Sequence, residues 1–401
     1  MTHRFLLLLM LLTVTNAMAV KIDYNRDVRP ILSDKCFKCH GFDPNKRKAK
    51  LRLDVRTEAL KPAKSHDLPI VPGNPGASSI IHRIESTDKD EVMPPSKDHT
   101  PLKAAEIAIL RQWIAEGAEY QTHWAFVPPK TNGANGIDQI VRESLAKLGL
   151  KPSPGADEAT LRRRVSLALT GLPPSSFDIP HSSYESFVDA LLASPHFGER
   201  LALDWLDVAR YADTNGYYTD AERQAWPWRD WVIKAFNDNM PFDQFTIEQL
   251  AGDLLPDATL EQKIATAFNR NHMVSNESGI IEEEYRAGYV SDRVETTAET
   301  WLGLTMGCAK CHDHKYDPLT QRDYYSLFAA FNNIEEKGII KEVAPLGAAP
   351  AILLPSTEQQ QRLAQLGEEL KQQQAKLKAA SPSLQKDMDK WEKSALATLP
   401  P

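Results

Sequence analysis

The sequence predicts a mainly α-helical chain: a small domain, a linker, a larger helical domain and a helical tail. Three observations carry that expectation. Apolar residues recur at spacings of three and four in one segment after another. Clusters of Pro, Gly, Asn and Asp separate those segments. All four cysteines fall in two copies of one motif, Cys36-Phe37-Lys38-Cys39-His40 and Cys308-Ala309-Lys310-Cys311-His312, one in each of the two domains.

The repeated motif reads C-x-x-C-H, the attachment signal for c-type haem. Two thiols two residues apart add across the two vinyl groups of one haem, and the histidine that follows reaches the iron. Other readings fit less well. A thioredoxin-like pair needs only one C-x-x-C. A zinc ribbon keeps its two pairs close in sequence, whereas these lie far apart. Two local disulfides would leave both histidines unexplained. The expectation is therefore two covalent haem c groups, held by Cys36, Cys39, His40, Cys308, Cys311 and His312, with His40 and His312 as iron ligands.

The N-terminus agrees. Residues 1–19 have a basic start (Arg4), an apolar run from Phe5 to Leu12 and the small-residue site Ala17-Met18-Ala19, the pattern of a cleaved signal peptide. The run is too short to span a bilayer, so the chain is expected to be periplasmic or otherwise exported and not membrane-spanning. In such a compartment free thiols tend to oxidise, which suits cysteines consumed as thioethers. With 42% hydrophobic and 25% charged residues the composition is that of an ordinary globular chain. The net charge of −7, or −8 once Arg4 leaves, gives no basic field for nucleic acid. One local basic run, Lys46-Arg47-Lys48-Ala49-Lys50, is read as a solvated loop, with docking of an acidic redox partner protein as the second reading.

Residues 20–122 form the first expected domain, of ordinary size. Asp23 to Ser33 carries Val28, Ile31 and Leu32 on one side and reads as a short helix despite Pro30. Pro101 to Tyr120 is the clearer helix, with an apolar stripe through Ala104, Ile107, Ala108, Leu110, Ile114 and Ala115 and Gly117 as its stop. A motif near the start, a loop-rich middle and a closing helix is the plan of a small class I cytochrome c-like domain. That plan wants a second iron ligand in a late loop. Met93, in Glu91-Val92-Met93-Pro94-Pro95, is the candidate, because a thioether suits haem iron and the prolines stiffen its loop. His82 and His99 are the fallbacks, and His123 a weaker one.

After a linker at 123–137, residues 138–340 read as a second, mostly helical haem-binding domain. Helical spacing appears over Thr160–Ala168, Tyr184–Leu192, Glu199–Tyr211, Trp228–Phe236 and Phe242–Ala251. Trp301, Tyr316, Tyr324, Tyr325, Phe328 and Phe331 are near enough to the second motif to wall a haem, or simply to pack a core. Arg286 and Arg293 suit haem propionates or structural ion pairs. The distal ligand of the second iron is not legible. His314 and Met306 are too close to the motif, and His272 and Met273 are weak candidates. His314 is also a proton-active group near the haem or a satisfied surface histidine. Asp207, Asp213, Asp220, Glu222, Asp230, Asp253 and Glu282-Glu283-Glu284 have no diagnostic spacing and read as caps, turns and surface charge. Residues 341–401 are a further linker and tail. Leu363, Leu366, Leu370 and Leu377 make a short heptad seam; Ser381-Pro382-Ser383 breaks it, and Leu384 to Leu396 is read as the return helix of a C-terminal helical hairpin.

Several strings resemble the planctomycete-type cytochrome c proteins, in which a cytochrome c-like domain is fused to a large domain of unknown function. In the first part they are Tyr24 to Leu32, the first motif, Leu51-Arg52-Leu53-Asp54, Val71-Pro72-Gly73-Asn74-Pro75 and Met93-Pro94-Pro95. His123-Trp124-Ala125-Phe126 with Pro128-Pro129 is similar to that family's linker. Thr170 to Pro174, Ala209 to Tyr217, Gln249 to Asp253 and Cys308 to Pro318 are similar to its second domain. The resemblance covers about residues 22 to 340 and implies exported multi-haem proteins that move electrons. Such proteins generally continue into a further large C-terminal domain. The sequence stops at Pro401, so either a shortened form or a separate C-terminal-type domain protein as partner is expected.

Three functions follow, in order. The first is electron transfer by an exported dihaem c-type cytochrome with a redox partner protein. The second is a haem-dependent oxidoreductase, with the second haem as active site and the first as relay; an iron without a distal ligand would be open to a small molecule such as peroxide. The third is a polysaccharide-binding or scaffold protein, suggested by Tyr217, Tyr218, Trp226 and Trp228, residues that more often pack in a core.

Overall fold

The computed structural model describes residues 21–95, 101–130, 133, 136–174, 183–218, 220–340 and 349–398. The expected signal peptide and His99 lie outside them. The chain is mainly helical. Among the described residues there is no strand, only two isolated bridges, Thr214 to Glu222 and Ser275 to Ile339. Among the described residues no helix is long and apolar enough to cross a membrane.

The first helix starts where Asp23 can cap it. Its carboxylate accepts from the Arg26 N–H at 2.8 Å, and a π-helical turn Tyr24–Val28 runs into α1, Arg29–Lys35. Pro30 sits in the first turn of α1, where its missing N–H costs nothing. The short α2, Phe37–His40, follows, then α3, Ser79–Glu85, and α4, Ala104–Ala115. α4 is shorter than its apolar stripe suggested, because the backbone turns at Gly117 with φ 108°. Arg111 of α4 clamps Glu85 of α3 with two bonds of 2.6 Å. The core between these helices is Val28, Leu32, Phe37, Leu53, Ile70, Ile81, Leu110, Trp113 and Ile114.

Farther along, α5 spans Glu158–Thr170, α6 Tyr184–Leu192, α7 Pro195–Val208, α8 Trp226–Asn237 and α9 Phe242–Ala251. α7 and α8 pack closely because Gly198 has no side chain: a Cβ there would stand 2.4 Å from the Ile233 carbonyl oxygen. Trp228, Trp231, Val232, Phe245 and Phe268 make the core, with Trp205 and Trp301 against it. Trp228 is 1% exposed. Trp228→Ala is expected to cost about 3–5 kcal/mol, read as a lower denaturant midpoint; a loss within about 0.5 kcal/mol, the range of surface changes, would contradict this packing.

α10, Glu282–Thr297, and α11, Gln321–Phe331, hold the second motif between them. The acidic run at 282–284 forms the first turn of α10, where negative charge is favoured by the helix dipole. Val294, Ala298, Met306, Ala309, Leu319 and Tyr324 form a separate small core under the motif.

The expected C-terminal hairpin is corrected. A single helix, α12, runs from Thr357 to Ala397 with Pro382 inside it. Proline at 382 forfeits one backbone hydrogen bond, while the turns on each side keep theirs and the Ser383 hydroxyl donates to the Ala380 carbonyl at 2.8 Å. The Ser381-Pro382-Ser383 break is therefore spanned. α12 has no buried residue.

Candidate haem sites

The first motif lies where α1 gives way to α2. Cys36 accepts the end of one helix and starts the next: its N–H donates to Leu32 O, and its carbonyl accepts from His40 N at 2.8 Å. His40 closes α2, and its carbonyl accepts from Leu53 N at 2.7 Å, tying the motif to the Leu51–Asp54 string. Gly41 follows by necessity, since a Cβ there would meet the Phe37 carbonyl oxygen at 2.4 Å. Burial pushes the Cys36 thiol up to about 12 and lowers the His40 imidazole, against the pull of the Lys48 backbone. A neutral imidazole is the form that ligates metal. In the basic run, Arg47 folds back onto the Gly41 and Phe42 carbonyls, while Lys46, Lys48 and Lys50 stay exposed.

Met93 is half-buried, and its N–H donates to the Arg83 carbonyl at 3.0 Å. This bond ties the Met93-Pro94 loop to α3. His82 is exposed on α3 with Nε2 on the Gly76 carbonyl at 2.7 Å. His123 is buried, with Nε2 3.2 Å from Asp317 Oδ1.

At the second motif both thiols, Cys308 and Cys311, are exposed. His312 Nδ1 lies 2.8 Å from the Asp313 carbonyl. A ring that donates Nδ1–H to a carbonyl keeps its Nε2 lone pair for a metal. Beside the motif opens a cleft of about 580 Å³, in the size range of cofactor sites. Tyr217, Tyr285, Tyr325 and Phe328 line it with Glu284 and Lys310, the latter inside the motif. Gly288 of α10 also borders it, and a Cβ there would meet nothing, so the helix backbone is open to an occupant. Two exposed thiols at this spacing and an imidazole with a free Nε2 are the donor set a haem c takes, and the cleft touches the motif at Lys310.

The other expected residues are placed elsewhere. Both nitrogens of His272 are engaged: Nδ1 on the Met273 carbonyl at 2.8 Å and Nε2 with Arg293 Nη2 at 2.7 Å, so it has no lone pair for iron. Met273 is half exposed, its side chain against Gly216. Met306 is in the core. Arg293 is a buried ion pair, both nitrogens 2.5 Å from Glu336, and Arg286 pairs with Glu283 at 2.7 Å and Asn332 at 2.8 Å. Neither is left for propionates. Of the aromatics, Tyr325 and Phe328 reach the cleft, Tyr324 and Phe331 pack the small core, and Trp301 belongs to the α8–α9 core. His314 is buried and satisfied, Nδ1 accepting from Asp317 N at 2.9 Å. Of the aromatics suggested for glycans, Trp228 is buried, Trp226 and Tyr218 are exposed, and Tyr217 stands in the cleft.

Sequence reasoning missed one cluster. Glu336 is buried between Arg293 and Arg270, with His272 3.6 Å away. Burial raises the Glu336 carboxyl, but the neighbouring His272 and the bonds from Arg293 outweigh this and hold it at about 2.

No curated protein and no solved structure matches the chain. Two family models do. Residues 36–97, from Cys36 through the Met93 loop, match Planctomycete cytochrome C. Residues 136–336, which include the second motif and end at Glu336, match a protein of unknown function (DUF1549) and cover half of the chain. With a haem-binding cytochrome c region ahead of that half, the chain belongs to the DUF1549 family and carries an N-terminal Planctomycete cytochrome C domain.

Proposed function

We propose that this is an exported dihaem c-type cytochrome that transfers electrons through two covalently bound haems. The observation that carries the reading is the second site: exposed Cys308 and Cys311, a His312 ring with Nδ1 on a carbonyl, and an aromatic cleft beside them. Bound haem supplies reversible one-electron chemistry. The chain's part is to hold and tune it. Cys36, Cys39, Cys308 and Cys311 anchor the rings, His40 and His312 bind the irons, and Met93 is the second ligand of the first iron.

The mature protein is expected to contain two haems per chain by pyridine haemochrome and intact mass. Cys308→Ala/Cys311→Ala is expected to carry one. A wild-type count of one would end the dihaem reading and leave the first site alone. The second reading, a haem oxidoreductase, is favoured by the polar groups in the cleft, where Tyr217, Glu284 and Lys310 could hold or move a proton. Electron paramagnetic resonance of the ferric protein separates the two, since two low-spin haems speak for transfer alone.

A further inference from the structure

The two motifs are far apart in sequence, yet one polar joint connects them. Arg29 begins α1, and its guanidinium lies 5.9 Å from the ring of Phe37, a residue inside the first motif. The same guanidinium donates through Nη2 to the Tyr316 carbonyl at 3.0 Å, across 287 residues. His123, buried in the linker, meets Asp317 at 3.2 Å across 194 residues. Asp317 and Tyr316 both donate their N–H groups to His314 Nδ1, at 2.9 and 3.3 Å. The turn that receives these contacts is therefore held by hydrogen bonds of its own. Arg29 and His123 come from the first motif's side, the Tyr316 carbonyl and the Asp317 carboxylate from the second's.

We infer that Arg29 and His123 are positioning residues for electron passage between the two haem sites. They lock the turn that follows His312 against the helix that leads into Cys36. This rests on the dihaem reading and adds to it a fixed haem-to-haem gap. The step itself moves one electron from one haem to the other, with no bond made or broken and no co-reactant, so geometry is what the protein contributes.

The test uses the mature two-haem protein. Haem is counted first on the wild type. A count below two removes the dihaem reading, and this inference with it, before any variant is made. Next, Arg29→Ala/His123→Ala is compared with wild type in two measurements. One is the rate at which an electron placed on one haem equilibrates with the other after fast photoreduction. The other is the magnetic dipolar coupling between the two ferric haems, which reports their separation without turnover. Equilibration is expected to slow by about tenfold or more, as for other geometry-sensitive steps, and the coupling to weaken. The optical spectrum of each haem should stay as it was. Arg29→Lys keeps a donor and a cation for the Tyr316 carbonyl and should restore most of the rate. If the double variant does not load haem, the milder Arg29→Gln and Asp317→Asn carry the same expectation. Unchanged rate and unchanged coupling in a fully loaded variant overturn the inference.

Discussion

Glu336→Ala is expected to cost about 3–5 kcal/mol, because removing one partner of a buried ion pair leaves the other charge uncompensated. Arg293 and Arg270 both bond this carboxylate, at 2.5 and 2.7 Å. Glu336 has a side chain 2% exposed, as has Arg293, so water does not replace what is lost. The cluster also ties α10 to the segment after α11, next to the second motif. Chemical denaturation at neutral pH reads the loss directly, and a change within about 0.5 kcal/mol would mean the pair is solvated. The same cluster sets a pH dependence. The Glu336 carboxyl is held at about 2, below its ordinary 4.5, so its contribution is complete above 4.5 and is lost as the pH falls toward 2. His272 is lowered from 6.5, first by burial, so it too resists protonation and destabilises the fold once forced to charge. Both push the same way: stability should fall on acidification, beginning below about pH 6.5. In Glu336→Ala the carboxylate part of that slope should vanish.

Met93→Ala is expected to abolish the weak long-wavelength charge-transfer band of a thioether-ligated ferric haem and to lower that haem's potential. The thioether is a soft ligand that raises the potential, and alanine offers no replacement. The backbone bond from Met93 to the Arg83 carbonyl does not involve the side chain. Because the side chain is only half-buried, the stability loss should stay below the roughly 2–5 kcal/mol of a fully buried methionine. A large change in the spectrum with a small change in stability is thus the signature of ligation. A band that survives Met93→Ala assigns it to another methionine.

Much of the helical framework was legible because it depends on local spacing. Tyr184–Leu192 and Phe242–Ala251 begin and end where their apolar periodicity does. α10 was missed, although its three glutamates in the first turn are an N-terminal signal; its buried face includes Ser291, Arg293, Thr296 and Thr297, polar residues that hide the period. The tail was misread because a single proline was taken as a stop, whereas the helix forfeits one backbone bond there and continues. The candidate haem-attaching residues stand out in sequence because each set of three lies within one five-residue motif. The Arg270–Glu336–Arg293 cluster and the His123–Asp317 contact were not. Their partners are separated by 43, 66 and 194 residues, and no local pattern encodes a pair that only the fold brings together.

α12 has a hydrodynamic consequence. A helix of 41 residues is a rod about 60 Å long, and none of it is packed away. Drag on a rod exceeds that on a sphere of equal mass, so the chain should sediment slowly and elute early from a sizing column. An apparent mass from elution alone would then exceed the true one. Its mass in solution should be taken from light scattering or sedimentation equilibrium, which do not depend on friction.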